Sequence, residues 1–305
     1  MNITILYGGT STEHKISIQT GLAIAEAIKD RYNLDMINLN TEIYNTPHLL
    51  LDTDLVFNAL HGGDGENGSI QSFLDLHHIP YTGSGAKACK IAMDKNITKL
   101  IAKSVGIPTP NWVLLKRNVN NGIQLQDNDS PKFSYPYVVK PADEGSTFGL
   151  TIVNEESELN DAISLAAEFS DEILIEEFIP GKELTVSILG NKPLPIIEII
   201  PSHKLYDYDC KYTEGMSEYV VPADLSDSIE RSLSEDALKI YKTIGCRHYA
   251  RADFRLNDEG QHYLLEINTL PGMTSTSLLP KAAKAAGLEF PELIDTIIKI
   301  ASLNN

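Results

Sequence analysis

Near the end of the chain Arg251, Asp253, Glu266 and Asn268 stand on either side of a polar turn, Asn257-Asp258-Glu259-Gly260. Residues flanking that turn alternate between apolar and polar, the pattern of two paired strands with one buried face. A four-residue loop sets Arg251 opposite Glu266, with Asp253 diagonal to it at roughly 7–8 Å between Cα atoms. Ala252, Phe254, Leu256, Tyr263, Leu265 and Ile267 then share the core face, and the four polar residues share the other. Asp253, Glu266 and Asn268 offer only oxygen donors, which suits a hard cation, Mg²⁺ or Mn²⁺, better than Zn²⁺. Such ions are commonly shared with nucleotide phosphates. A solvated hairpin whose charges merely pair is the plainer alternative. It accounts less well for three oxygen ligands beside an Arg, followed by a loop rich in Gly, Ser and Thr up to Ser277.

A second chemical signal lies upstream. The apolar strand Val138-Val139 delivers Lys140, and Glu144-Gly145-Ser146-Thr147-Phe148-Gly149 follows. A fixed ammonium with backbone N–H and hydroxyl donors on a flap binds phosphate where no Walker loop exists. No G-x-x-x-x-G-K-[ST], G-x-S-x-G or H-E-x-x-H occurs. Gly63-Asp64-Gly65-Glu66-Asn67-Gly68 matches the dinucleotide fingerprint literally, but its two carboxylates would sit where a pyrophosphate belongs. Those glycines read instead as tight turns beside a polar site, with His61 as a neutral hydrogen-bonding group.

These groups need a scaffold, and bulk properties bound it. A chain of 305 residues suggests two or three lobes. With 25 Lys and Arg against 42 Asp and Glu, its formal charge of −17 argues against nucleic acid or an anionic membrane as partner. Phosphates must then be handled by local Lys, Arg and metal. Cys89, Cys210 and Cys246 are far apart and in no ligand spacing, as expected of free thiols in a reducing compartment. No apolar run approaches the ~18 residues of a membrane span and the N-terminal run is too short for a signal peptide, so a cytoplasmic protein is expected.

The fold class expected is α/β. Residues 1–86 read as an open α/β sheet, with strands at Ile3–Tyr7, Leu34–Leu39 and Leu55–Ala59. Further units follow over residues 87–178 and 179–305, the last with helices over 227–244, 277–288 and 290–303. Ile173 to Glu183 is a strand running into an extended, proline-stopped segment whose backbone and carboxylates could clamp a nucleoside. The stretch from Ser202 to Pro222 is long enough to be a lid, and Lys116 to Lys132 is a surface excursion to which no function is given.

Taken in order, Gly8 to Glu13, Ala59 to Gly62, Met93-Asp94-Lys95, Val139-Lys140-Pro141 with Glu144-Gly145-Ser146, Tyr206 to Tyr212, Arg251-Ala252-Asp253, and Leu265 through Gly272 to Ser277 resemble the D-alanine–D-alanine ligase family. The resemblance covers essentially the full length and implies an ATP-grasp fold in three lobes, with residues 1–86 as an N-terminal substrate domain, 87–178 as a central lid domain and 179–305 as a catalytic domain. It further implies joining of two D-alanines while ATP becomes ADP and phosphate, through an acyl phosphate, for peptidoglycan precursors. By the same resemblance Asp253, Glu266 and Asn268 would hold two Mg²⁺ or Mn²⁺ ions, and Lys95, Lys140, Glu144 and Ser146 would face the ATP phosphates. Glu176, Phe178 and Ile179 would meet adenine, and Glu183 the ribose.

Glu13 would anchor the first D-alanine, linked through Ser146 and Tyr212, with His61 and Lys211 beside it. Arg251 and the N–H of Gly272 would stabilise the oxyanion, and Ser277 would receive the second carboxylate. The Lys211-Tyr212 lid is similar to that of dipeptide-forming relatives rather than ester-forming ones. Glu177 and Thr276 depart from a Lys and a His found in some relatives. A homodimer is what the family suggests. Two other readings are a non-catalytic ATP-grasp module, expected to have lost Arg251 or a metal ligand, and a different ATP-grasp ligase, which would not need Glu13 or the lid.

Overall fold

The computed structural model describes residues 1–39, 47–50, 52–118, 122–125, 131–202, 215–274 and 276–303. Short apolar runs make the first sheet. Ile3, Ile5 and Leu6 of β1 (Asn2–Gly8) are buried between β2 (Asn33–Leu39) and β3 (Leu55–Asn58), in the parallel order β2-β1-β3. A parallel sheet needs crossovers, and α1 (His14–Ile28) supplies the first. Helix α2 (Ser69–Leu76) follows the third strand.

Helices α3 (Ala86–Met93) and α4 (Lys95–Ser104) are split at Asp94, whose extended backbone and Oδ1 cap α4 by accepting from the Ile97 N–H at 2.9 Å. The middle sheet has antiparallel pairings throughout, order β5-β4-β8-β6-β7. Its strands are β4 (Trp112–Asn118), β5 (Gly122–Leu125), β6 (Tyr137–Pro141), β7 (Thr151–Val153) and β8 (Glu172–Glu177), with α5 (Glu156–Ala166) packed on one face.

The third sheet runs β12-β11-β9-β13-β14, with β10 beside β9. It comprises β9 (Lys182–Leu189), β10 (Lys192–Pro193), β11 (Ile197–Pro201) and β12 (Ser217–Val220), then α6 (Asp227–Ile244), β13 (Tyr249–Leu256) and β14 (His262–Asn268). Helix α6 buries Leu233, Ala237, Ile240, Tyr241 and Ile244 at helical spacing. It ends in left-handed Gly245, where Cys246 N–H returns to Tyr241 C=O and Gly245 N–H to Lys242 C=O, a Schellman stop. Helices α7 (Leu278–Ala285) and α8 (Phe290–Leu303) close the chain, and Leu293, Ile294, Ile297 and Ile298 of α8 return to the core of the first sheet. Among the described residues no helix is long and apolar enough to cross a membrane. Cys89 and Cys246 are buried free thiols, and Cys210 lies outside the described residues.

Two expectations change. Part of the stretch expected as a lid is strand, since Ser217–Val220 pairs with β11; residues 203–214 lie outside the described part. The hairpin register also differs. Asp253 stands directly opposite Glu266 and Arg251 opposite Asn268, but Phe254 pairs with Leu264 and Leu256 with His262. The loop therefore holds five residues, closed by Asn257 N–H to Gln261 C=O with Gly260 at φ +80°. Leu265 is the extra residue of a β-bulge. The bulge reverses the alternation in β14, so His262 and Leu264 are buried with Ile267, while Tyr263 and Leu265 leave the core face.

The first and third sheets meet at His248, 2% exposed and at φ +65°, whose Nδ1 accepts the Gly83 N–H at 3.0 Å. Burial, with Arg247 beside it, pushes its pKa from 6.5 down to about 4. The unfolded chain therefore takes up this proton first as pH falls, and stability tied to neutral His248 is lost between pH 6.5 and about pH 4. Asn tolerates the left-handed backbone and offers an Oδ1 acceptor. The expected result for His248→Asn is a smaller drop in melting temperature between pH 7 and pH 5 than the wild type shows; equal drops would remove His248 as the source.

Candidate functional site: a two-compartment cleft

Between the middle and third sheets lies an open cleft of about 990 Å³, counting the solvent at its mouth. β6 brings Lys140, the end of β8 brings Glu176, and the segment after it brings Phe178 and Ile179. Glu183, Asp253, Arg255 and Glu266 come from β9, β13 and β14 on the opposite wall, and the flap between β6 and β7 brings Glu144 and Ser146. Ser146 and Thr147 both have positive φ, +49° and +66°, a conformation side chains other than Gly adopt at a cost of order 1–3 kcal/mol each. Val138, Leu150 and Leu265 give the cleft apolar surface. Apolar surface beside ammonium, guanidinium and carboxylate groups suits a nucleotide, which has an apolar base face and charged phosphates.

A second recess adjoins it, lined by Glu13, His61, Asn268, Gly272 and Ser277. Ser146, Arg251 and Glu266 line both compartments. Glu13 sits just before α1, is 7% exposed, and accepts the hydroxyl of Ser146, tying the first lobe to the flap. His61 Nε2 lies 2.9 Å from Thr20 Oγ1, and its Nδ1 lies 3.5 Å from Glu66. Burial pushes the Glu66 carboxyl up against the pull of His61. Ser277 Oγ accepts the Thr274 N–H at 3.0 Å, and a Cβ on Gly272 would come within 2.7 Å of that same Oγ. Lys211 and Tyr212 lie outside the described residues.

In the larger compartment Lys95 Nζ donates to the Glu144 carbonyl at 2.6 Å and lies 3.2 Å from Glu266 Oε2. Glu144 thus contributes its backbone to Lys95; burial and then Asp143 raise its carboxyl above the usual range. Lys140 Nζ lies 3.2 and 3.1 Å from the two oxygens of Glu176. Arg251 grips Asp253 in a two-point pair, Nε to Oδ1 at 2.8 Å and Nη2 to Oδ2 at 2.7 Å, while Thr185 donates to Oδ1 at 2.6 Å. This corrects the expected cross-strand pairing of Arg251 with Glu266; the shifted register puts Asn268 there instead. Asn268 Oδ1 accepts the Leu270 N–H at 2.9 Å.

Among the described residues no group of three or more His, Cys, Asp or Glu is arranged to hold an ion alone. Two carboxylates facing each other across a ladder, with an amide oxygen two pairs further on and so on the same face, fit an ion that completes its shell with phosphate oxygens and water.

Three participants were missed in the sequence. Arg255 stands opposite Glu183, lies 3.3 Å from it, and donates to the carbonyls of Ile179 and Gly181 at 3.0 and 2.7 Å, bracing the extended segment. Glu66 completes the polar floor by His61. Lys99 lies behind Glu176 at 2.8 Å, and its signal was the four-residue step from Lys95 that puts both on one helix face.

An N-terminal open sheet followed by two antiparallel sheets that grip a nucleotide-sized cleft is the architecture of an ATP-grasp enzyme. The family model described as the D-ala D-ala ligase C-terminus matches residues 101–299, and that of the N-terminus matches residues 38–84. A curated D-alanine–D-alanine ligase of Syntrophotalea carbinolica is 43% identical over 302 residues, covering 99% of this chain and 96% of its own. That of Aquifex aeolicus is 42% identical over 301 residues, covering 98% of this chain and 100% of its own. The crystal structure of the Bacillus anthracis D-alanine–D-alanine ligase complexed with ATP superposes with a TM-score of 0.84 at 36% identity, covering 99% of this chain and 96% of that one. The VanG D-Ala:D-Ser ligase of Enterococcus faecalis gives 0.81 at 28%, covering 98% and 99%. The chain belongs to the D-alanine–D-alanine ligase family.

Proposed function

We propose that this enzyme joins two D-alanines at the expense of ATP, working in the cytoplasm as a homodimer and supplying D-alanyl-D-alanine for peptidoglycan. The observation that carries the reading is the sharing of Ser146, Arg251 and Glu266 by a nucleotide-sized cleft and a small polar recess. Phosphoryl transfer from a nucleotide to an amino acid needs such a junction.

In this reading adenine lies against Phe178 and Ile179 with Glu176 near its edge, Glu183 holds the ribose, and Lys95, Lys140 and the flap meet the phosphates. Glu13 holds the ammonium of the first D-alanine, and its link to Ser146 closes the flap over that substrate. The carboxylate of this D-alanine attacks the γ-phosphorus, ADP leaves, and an acyl phosphate forms. The amine of the second D-alanine, its carboxylate at Ser277, then loses a proton and attacks the acyl carbonyl. Arg251 and the Gly272 N–H stabilise the tetrahedral oxyanion until phosphate departs. Two divalent ions, Mg²⁺ or Mn²⁺, held by Asp253, Glu266 and Asn268, would supply neutralisation of phosphate charge.

ADP release is measured with Mg²⁺-ATP and D-alanine, L-alanine, D-alanine with D-serine, or D-alanine with D-lactate, and products are weighed by mass spectrometry. Dipeptide from D-alanine alone is expected, rising with pH because the attacking amine must be neutral. No ADP with D-alanine alone would sink the proposal, and preferential mixed product with D-serine would move the second-substrate assignment.

A further inference from the structure

Helix α4 carries Lys95 and Lys99 one turn apart, but their fates differ. Lys95 lines the cleft. Lys99 is 0% exposed, with its ammonium 2.8 Å from Glu176 Oε2 and 2.8 Å from Thr109 Oγ1, and 5.4 Å from the centre of the Trp112 ring. Glu176, 2% exposed, is in turn 3.1 Å from Lys140, so one buried carboxylate stands between two ammonium groups. Burial would raise the carboxyl of Glu176, but Lys140 and Lys99 hold it below the usual range. Burial pulls Lys99 down to about 8 against the attraction of Glu176. An ammonium this deep persists only because it is paired. Thr109 passes the connection on by donating to the Leu264 carbonyl of β14 at 2.8 Å, so Lys99 joins the middle sheet to the third.

The order of the three charges matters. Lys140 lines the cleft, and a carboxylate at 3.1 Å would compete with any phosphate for it. A cation behind that carboxylate lowers its hold on Lys140 by sharing its charge. We propose that Lys99 is a positioning residue for nucleotide binding, which neutralises Glu176 from behind and leaves Lys140 available to an ATP phosphate. The inference rests on the reading that Lys140 meets phosphate, so the test separates the two.

The Michaelis constants for ATP and for D-alanine are measured by ADP release for the wild type, Lys140→Met, Lys99→Met, Glu176→Gln and the Lys99→Met/Glu176→Gln double variant. Lys99→Met is expected to raise the KM for ATP about tenfold, as loss of one partner of a buried pair allows, with the KM for D-alanine within about twofold. In the double variant the competing charge is gone, and the KM for ATP returns to that of Glu176→Gln alone. A Lys99 that served packing only would add its penalty to that of Glu176→Gln, and such additivity overturns the proposal. So does a KM for ATP in Lys99→Met within about twofold of the wild type. Should Lys99→Met fail to fold, comparison of the double variant with Glu176→Gln decides alone. An unchanged KM for ATP in Lys140→Met would instead overturn the phosphate assignment of Lys140.

Discussion

Glu266→Gln stops ligation: ADP release with ATP and D-alanine falls by about a thousandfold, some 4 kcal/mol of barrier, while the thermal unfolding transition stays near that of the wild type. Gln keeps the volume of the side chain and removes its charge. That charge faces Asp253 across the β13–β14 ladder, lies 3.2 Å from Lys95, and borders both compartments. Its side chain is 30% exposed, so its loss opens no cavity, and an effect on turnover without one on folding marks a chemical role. Asp253→Ala is expected to be equally inactive yet folded. Retention of more than a tenth of wild-type turnover in either would remove both from the metal assignment.

Arg251→Lys lowers kcat by about a hundred- to a thousandfold, the usual cost of losing a preorganised oxyanion donor. Lys keeps the charge but cannot form the two parallel bonds through which Arg251 now holds both oxygens of Asp253. The replaced side chain would leave Asp253 with Thr185 as its remaining described hydrogen-bond donor. Arg251→Ala should be no more active. A lysine variant with near-normal kcat would show that neither the two-point grip on Asp253 nor a guanidinium donor to the oxyanion is needed, and the oxyanion role would pass to the Gly272 N–H.

Much of this site could be read from residue order, because strand ends and glycine turns announce where side chains converge. Ile3 to Tyr7 announced β1, the glycines after it announced a loop, and the 227–244 periodicity gave α6 in full. The hairpin register could not be read so well. Alternation across Asn257 to Gly260 admits a four- or a five-residue loop, and only packing of Leu264 and His262 into the core chooses. The bulge at Leu265 then brings Asp253 opposite Glu266, which local pattern cannot anticipate. Lys99 escaped for another reason. A lysine on an amphipathic helix is ordinarily solvated, and its burial follows from Glu176 and Thr109, which lie far from it or beyond the helix in the chain.

Lys95, Lys140, Arg251 and Arg255 line the larger cleft, with Lys99 behind Glu176, in a chain whose formal charge is −17. Capture of an anion thus divides into two regimes. Beyond the cleft mouth an approaching nucleotide feels the acidic body, and within it the cations take over, over distances shorter than the Debye length of about 8 Å at physiological ionic strength. Added salt then quickens encounter by screening the body while loosening the final hold, so association and dissociation rates rise together.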